Sequence, residues 1–205
     1  MIQISHKKEL ENLLTKHELE LFSRLKELIQ KLNKISNLTR LIDGNDYWVS
    51  QVYDSIWPFF KDSNKLFENK KFIDIGSGCG FPGLAYAITH PTSEIYLIDS
   101  SLKKTNALKQ IVESMNLKNK IHIINDRIEN IGHDLEFRHK FDIGTARAVS
   151  SAPTVSHKIL ILIHLSLIRV KDIRKRLVVC LQLLQCQYRI YVEILNYGLS
   201  FQCDH

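Results

Sequence analysis

The sequence is poor in the residues that build metal centres and disulfide-linked folds. Its four cysteines are irregularly spaced, with no CxxC pair and no Cys/His cluster at zinc spacing. Neither a metal site nor a disulfide framework is therefore predicted, and we expect a reduced, cytoplasmic compartment. The cysteines are Cys79, Cys180, Cys186 and Cys203.

Long apolar runs are also lacking. The longest, residues 159–168, is too short to cross a bilayer. The first 16 residues mix Lys, Glu and His with Leu, whereas a secretion signal places an apolar stretch after a basic start. We expect a soluble protein without a membrane partner.

Composition and charge are ordinary for a globular chain. Of the 205 residues, 44% are hydrophobic and 24% charged, which excludes wholesale disorder. The formal net charge at pH 7 is +6. Seven Lys or Arg against three Asp or Glu place +4 of it from residue 157 onward. This excess is compatible with an anionic partner but does not identify one.

Residues 1–65 are predicted to form an N-terminal helical cap. Between residues 6 and 35, apolar side chains recur every three or four positions, which predicts one long amphipathic helix. A second apolar segment, residues 46–60, is expected to be helical and to end at Pro58. Both segments need a partner surface against which to pack.

Residues 66–155 are predicted to form an α/β core. Short runs rich in Ile and Val alternate with helical stretches at residues 84–89 and 102–115. Strands and helices at this spacing indicate right-handed βαβ units and a parallel sheet. The four predicted strands are Phe72–Ile75, Glu94–Ile98, Ile121–Ile124 and Phe141–Ile143.

The last segment, residues 156–205, is atypical. No glycine lies between Gly144 and Gly198 and no proline follows Pro153, although a continuing sheet would need turn residues there. We therefore expect no continuation of the sheet. A shift of reading frame or decay of the carboxyl end would produce such an abrupt change in composition, and a chain that is incomplete or inactive is one interpretation.

The densest functional signal is a glycine-rich loop directly after the first predicted strand. Gly76, Gly78 and Gly80 allow a sharp turn and a close approach of the backbone to a ligand. Pro82 suits the first turn of the helix that follows, because its missing N–H would have no partner there. The N–H groups at that helix start are then free to face the ligand.

Two cofactors compete for this loop. Gly78-x-Gly80-x-x-Gly83 matches the dinucleotide fingerprint, with Asp99 placed 21 residues beyond Gly78 to hold a ribose, so an NAD-dependent oxidoreductase remains open. However, Asp74 immediately precedes the loop. Its carboxylate would repel a pyrophosphate but could hold the cationic amino-acid end of S-adenosylmethionine, directly or through water, so Asp74 favours the methyl donor.

Polar residues follow the other strands at the same edge of the sheet. Asp99 is a candidate for the ribose hydroxyls, or alternatively a helix N-cap. Ile128 is a candidate to pack on an adenine ring, and Glu129 beside it is equally compatible with a solvated loop. Arg147, after the fourth strand, points toward the cleft or lies on the surface.

Motifs at residues 74–83, 97–100, 126–129 and 145–148 resemble the bacterial glucose-inhibited division protein B family of 16S ribosomal RNA guanine-N7 methyltransferases. The cap motifs Asn-Leu-Thr at 37–39 and Asp-Ser-Ile at 54–56 are also similar to that family. The chain departs from it at Ser50-Gln51, where members often have Arg-His, and again after residue 155.

The resemblance implies a Rossmann-like class I S-adenosylmethionine-dependent methyltransferase fold. It implies 16S ribosomal RNA, or the small ribosomal subunit, as the partner of a chain expected to be a monomer. A catalytically inactive nucleotide- or RNA-binding remnant is the alternative. The implied cofactor contacts are Gly76, Phe81, Asp99, Ser100, Ser101, Ile128, Glu129 and Arg147.

The reaction implied by the resemblance needs no acid–base machinery. Guanine N7 has an in-plane lone pair and no proton, so no catalytic side chain and no metal are expected. RNA phosphates would be contacted by basic side chains. The candidates are Lys31, Lys34, Arg40, Lys103, Lys104, Arg127 and Arg147.

Overall fold

A parallel β-sheet carries the centre of the chain. The computed structural model describes residues 9–60, 67–147, 177–184 and 187–194. The strands of this sheet are β1 (Lys71–Ile75), β2 (Glu94–Ile98), β3 (Ile121–Ile124) and β4 (Ile143–Ala146). They lie in the order β3-β2-β1-β4. Asp74 in β1 is opposite Leu97 of β2 on one side and Thr145 of β4 on the other. The predicted α/β arrangement is confirmed.

Helices connect these strands and form the cap. The cap helices are α1 (Lys16–Ser36), α2 (Gly44–Asp46), a π-helix (Tyr47–Tyr53) and α3 (Asp54–Phe60). The π-helix continues α2 and leads directly into α3. The core helices are α4 (Gly83–Thr89), α5 (Leu102–Met115) and α6 (Ile128–His133). Among the described helices, none combines the length and apolar character needed to cross a bilayer.

The cap differs from its predicted form at two places. Helix α1 begins at Lys16 instead of running on from residue 6, because Thr15 is its N-cap and forms a capping box with Glu18. Residues 9–13 are helical ahead of this break. Pro58 does not end the second segment, since α3 runs through it to Phe60.

Cap and core share one apolar interior. Phe22, Leu25 and Ile29 of α1 are buried, as are Phe72 of β1 and Tyr86 of α4. The rings of Phe72 and Tyr86 stack with their centroids 4.1 Å apart. Helix α1 also touches α5, where the Arg24 guanidinium donates a hydrogen bond to the Ser114 carbonyl. The partner surface that the cap needs is therefore the α/β core.

The atypical C-terminal segment contains two strands. β5 (Leu177–Leu184) and β6 (Gln187–Ile194) pair antiparallel in a two-stranded sheet of their own. Leu, Val, Ile and Tyr, which are frequent in both segments, favour strands. These strands were not predicted, because the prediction relied on the lack of glycine and proline turn residues in this segment. The remainder of this segment, including residues 156–176, lies outside the described part of the chain.

Candidate functional site

The glycine loop is anchored to the end of β2. After Ile75 the backbone N–H groups of Gly76 and Ser77 both donate to the Ile98 carbonyl, at 2.8 and 2.9 Å. The Ser77 hydroxyl donates to the Asp74 carbonyl and accepts from the Ile98 N–H. Gly78 takes the positive φ of 55° that the sharp turn requires. The loop is thus fixed at its base by main-chain contacts.

Asp74 lies beneath the loop, closed off from solvent. Its carboxylate accepts one hydrogen bond from the Gly83 N–H at 3.0 Å and one from the Thr145 hydroxyl at 2.9 Å. Its side chain is 0% exposed, and burial raises its pKa to about 6. The hydrogen bonds of Asp74 therefore connect α4 and β4 to β1. A direct contact with a ligand would require these bonds to be replaced.

Asp99 lies at the rim of the loop. One carboxylate oxygen accepts from the Gly78 N–H and the other from the Ser101 N–H, both at 2.9 Å. Asp99 is buried, with 6% of its surface exposed, against 0% for Asp74. Ser101, not Asp99, is the N-cap residue of α5, and it makes no side-chain cap bond. Ser100 is exposed beside it.

The end of β3 leads into a short helix. Asp126 accepts hydrogen bonds from the Arg127 N–H and the Asn130 side-chain amide. Arg127 is the N-cap residue of α6, so Ile128 and Glu129 lie in its first turn rather than in a loop. Ile128 is half-buried and Glu129 exposed.

Arg147 is turned toward the cap. Its guanidinium donates to the Ser50 carbonyl at 2.9 Å, to the Ser55 hydroxyl at 3.5 Å and to the Gln51 side-chain oxygen. It also lies 5.9 Å above the ring of Phe81. The ring of Phe81 is 3% exposed, because it packs between Arg147 and Tyr47. The sequence left open whether Arg147 points toward the cleft or lies on the surface, and the structure turns its guanidinium toward the cap.

The cap also touches the glycine loop directly. The Gln51 side-chain amide donates to the Thr39 hydroxyl at 3.0 Å and to the Cys79 sulfur at 3.7 Å. Cys79 is a free thiol in the loop, and burial raises its pKa. Two sequence features noted above lie at these contacts, the Asn-Leu-Thr motif at 37–39 and the Ser50-Gln51 pair, but neither one predicts a contact with the loop.

The comparison with known proteins identifies the family. The family model for rRNA small subunit methyltransferase G matches residues 18–168 of the chain. This match covers most of the cap, the glycine loop and all four core strands. The chain belongs to the rRNA small subunit methyltransferase G family. Membership favours a methyl donor over a dinucleotide as the ligand of the loop.

Two curated relatives of the family come from Prochlorococcus marinus. Ribosomal RNA small subunit methyltransferase G of strain MIT 9515 is 61% identical over 160 residues, which cover 78% of this chain and 67% of that protein. The protein of the same name from subspecies pastoris is 63% identical over 152 residues, covering 74% and 64%. The matched part of the chain spans about two thirds of the length of these relatives.

One solved structure confirms the type of fold. A Plasmodium falciparum protein described as a protein-L-isoaspartate O-methyltransferase, in complex with S-adenosyl-L-homocysteine, matches with a TM-score of 0.54 and 15% identity. The match covers 86% of this chain and 89% of that one. At this identity the likeness concerns the fold alone, and it agrees with the predicted Rossmann-like methyltransferase fold.

Proposed function

We propose that the chain binds S-adenosylmethionine at the carboxyl ends of β1 and β2 and transfers its methyl group to N7 of a guanine in 16S ribosomal RNA. Family membership carries the proposal, because the relatives are named as methyltransferases of small-subunit ribosomal RNA. The proposed reaction takes place in the cytoplasm, with the chain acting as a monomer.

The residues at the rim of the glycine loop fit the sugar of this donor. Each carboxylate oxygen of Asp99 accepts one N–H and has further lone pairs, so the pair can also accept both ribose hydroxyls. A side chain on Gly78 would meet only the Gly76 carbonyl oxygen, at 3.8 Å, so a ligand can approach the backbone there. The half-buried Ile128 offers an apolar surface for adenine.

Asp74 and Arg147 stabilise the site without contacting the donor in this proposal. Asp74 holds the Gly83 N–H and so fixes the path of the chain past the donor. Arg147 lies close enough to Asp74 and Cys79 for its charge to lower the pKa of each. The implied donor contacts of Gly76, Phe81, Ser100, Ser101 and Glu129 are part of the proposal, with Phe81 contributing through its backbone.

For methyl transfer to guanine N7, the chain needs only to position the donor and the guanine relative to each other. The bound donor supplies a methyl group on a positively charged sulfur. The N7 lone pair forms the new bond to carbon, the carbon–sulfur electron pair stays on sulfur, and the positive charge passes to the purine. No proton moves, so no side chain is needed as a base. Correct alignment can contribute up to roughly 7–11 kcal/mol.

The proposed RNA contacts come from basic side chains of the cap and of the sheet edge. Lys31, Lys34 and Arg40 are exposed on the cap, and Lys103 and Arg127 are exposed beside Asp99 and Ile128. Such contacts position the RNA without selecting its sequence. Arg147 is not in this group, because its guanidinium is already bonded to the cap.

Ligand binding tests the donor site. In isothermal titration, the wild-type chain is expected to bind one S-adenosylhomocysteine and no NADH. The Asp99→Ala variant should bind S-adenosylhomocysteine about 10- to 100-fold more weakly, since hydrogen bonds to a charged group contribute about 1.5–3 kcal/mol. Asp142→Ala is the matched control, because Asp142 also accepts a backbone N–H, from Lys71 at 2.8 Å, but at the opposite end of β1.

Methyl transfer tests the reaction itself. Small ribosomal subunits that lack N7 methylation should take up labelled methyl from the donor, and nuclease digestion should yield N7-methylguanosine. Binding of S-adenosylhomocysteine without transfer would support the inactive remnant instead. Binding of NADH in place of S-adenosylhomocysteine would overturn the donor assignment.

A further inference from the structure

A buried polar cluster around Arg147 joins the cap to the glycine loop. Gln51 lies at its centre with its side chain 2% exposed. Its amide nitrogen donates to Thr39 and Cys79, while its oxygen accepts from the Arg147 guanidinium. The polar atoms of this one side chain therefore contact the cap, the loop and the end of β4.

Arg147 needs acceptors in this place. A guanidinium has five N–H donors in a fixed plane, and each donor that is removed from water must be matched. Ser50 supplies a main-chain carbonyl and Gln51 a side-chain carbonyl, two successive residues of the π-helix. Of these two, only the Gln51 acceptor can be removed by substitution.

The buried polar cluster is connected to α1, the longest helix of the cap. Asn33 in α1 brackets Thr39, donating to its carbonyl and accepting from its N–H, both at 2.9 Å. The Thr39 hydroxyl then accepts from the Gln51 amide. Hydrogen bonds thus run without a break from α1 through Thr39 and Gln51 to Arg147.

We propose that Gln51 is a positioning residue, which holds the Arg147 guanidinium between the cap and the glycine loop and thereby keeps the loop in its donor-binding form. The effect on donor affinity rests on the proposed function. The effect on the loop itself does not, because the contacts among Gln51, Arg147 and Cys79 are present without a donor.

Donor affinity gives the first test. Gln51→Leu removes the acceptor at similar volume and should weaken S-adenosylhomocysteine binding about tenfold or more, as expected for a lost bond to a charged group. Gln51→Glu keeps an acceptor for the guanidinium and should bind within about threefold of wild type. Gln110→Leu makes the same chemical change at an exposed site on α5 and should have no effect.

A double-variant cycle separates positioning from a general structural role. If Gln51 acts through Arg147, Gln51→Leu should have no further effect on donor affinity in an Arg147→Met background. A role in packing alone would weaken binding equally in both backgrounds. Equal weakening, or failure of Gln51→Glu to restore affinity, would overturn the proposal.

Labelling of Cys79 provides a readout that needs no donor. The alkylation rate of this buried thiol, followed by peptide mass spectrometry, should rise several-fold in Gln51→Leu, which also removes the direct bond from the Gln51 amide to the Cys79 sulfur, and stay at the wild-type value in Gln110→Leu. A Cys79 that stays equally protected in Gln51→Leu would contradict the positioning role. If the wild type bound no S-adenosylhomocysteine, the proposed function would fail while this measurement still decided the role of Gln51.

Discussion

Asp74 ionises in a place that water does not reach. Loss of hydration opposes its charge, whereas Thr145, Gly83 and Arg147 favour it, and burial outweighs them, so that the pKa rises from 3.8 to about 6. The folded state therefore prefers the protonated carboxyl. Its contribution to stability is fully present below pH 3.8 and is lost as the pH rises through 6.

Asp74→Asn should remove this pH dependence. The amide keeps an acceptor for the Gly83 N–H but does not ionise. Relative to wild type, the free energy of unfolding of the variant should rise by about 2 kcal/mol between pH 4 and pH 7, since each pKa unit corresponds to about 1.4 kcal/mol and part of the effect already occurs below pH 4. Urea unfolding at several pH values measures this difference.

Thr145→Val provides the complementary control for Asp74. It removes a hydrogen bond that lowers the Asp74 pKa, so the pKa of Asp74 should be higher in this variant than in wild type. The loss of stability with rising pH should therefore continue to a higher pH in the variant than in wild type. A difference between Asp74→Asn and wild type that stayed constant with pH would contradict the assigned ionisation.

At the scale of elements, Gly83 sets how closely α4 packs on the sheet. A Cβ at this position would lie 2.2 Å from a methyl carbon of Leu97 in β2 and 2.9 Å from the Asp74 carboxylate. To accept a Cβ at this position, either the Leu97 and Asp74 side chains or the start of the helix would have to move. The first turn of α4 is thereby held against both strands.

Gly83→Ala should lower the free energy of unfolding by about 1–3 kcal/mol, the range for overpacking a close contact. Gly132→Ala is the matched control in α6, where an added Cβ meets nothing within 4 Å. This control should be neutral or stabilising by up to about 1 kcal/mol, because alanine is the better helix former. Urea unfolding at pH 7 compares the two. Equal destabilisation of both variants would argue against a packing constraint specific to Gly83.

The elements with the clearest sequence patterns were predicted well. β2, β3 and α5 have their predicted bounds, and Asn116 ends α5 in a left-handed conformation. β4 is displaced from its predicted position: it begins at Ile143 and continues to Ala146. Gly144, Thr145 and Ala146 form a strand through pairing with β1 rather than through apolar patterning. Pairing across the sheet supplied what the local sequence lacked.

The candidate site was predicted only in part. The loop and Asp99 were found because their residues are close in sequence and have a recognisable spacing. The burial of Asp74 and the turn of Arg147 toward Gln51 were missed. They depend on contacts 71 and 96 positions apart, and no spacing rule covers such distances. The capping box of Thr15 and Glu18 was readable from the sequence and was overlooked.

At the scale of the whole molecule, acid stability depends on a second buried group. His90 follows α4 with its ring stacked on Tyr86, the centroids 4.2 Å apart, and burial lowers its pKa to about 4. The fold therefore prefers the neutral imidazole. This contribution to stability is present above pH 6.5 and is lost as the pH falls through 4, opposite in sign to that of Asp74.

His90→Phe keeps an aromatic ring on Tyr86 without a site for the proton. Between pH 7 and pH 4.5, the free energy of unfolding of wild type should fall relative to this variant by up to about 3 kcal/mol. Hydrogen bonding to His122 lowers the pKa of Glu94 to about 2, so the stability from Glu94 is lost only below pH 4.5 and does not interfere. A wild-type curve parallel to that of His90→Phe would contradict the assignment.

The hydrogen bonds of the Asp74 carboxylate also determine where the chain can accept insertions or deletions. It joins two points of the chain, Gly83 nine residues later and Thr145 seventy-one residues later, so the segment from β1 to α4 must keep its length. One inserted residue in β1 would turn Asp74 to the other face of the sheet. Inserted residues should therefore be tolerated in the exposed segment 134–136, which follows α6, but not between residues 74 and 83.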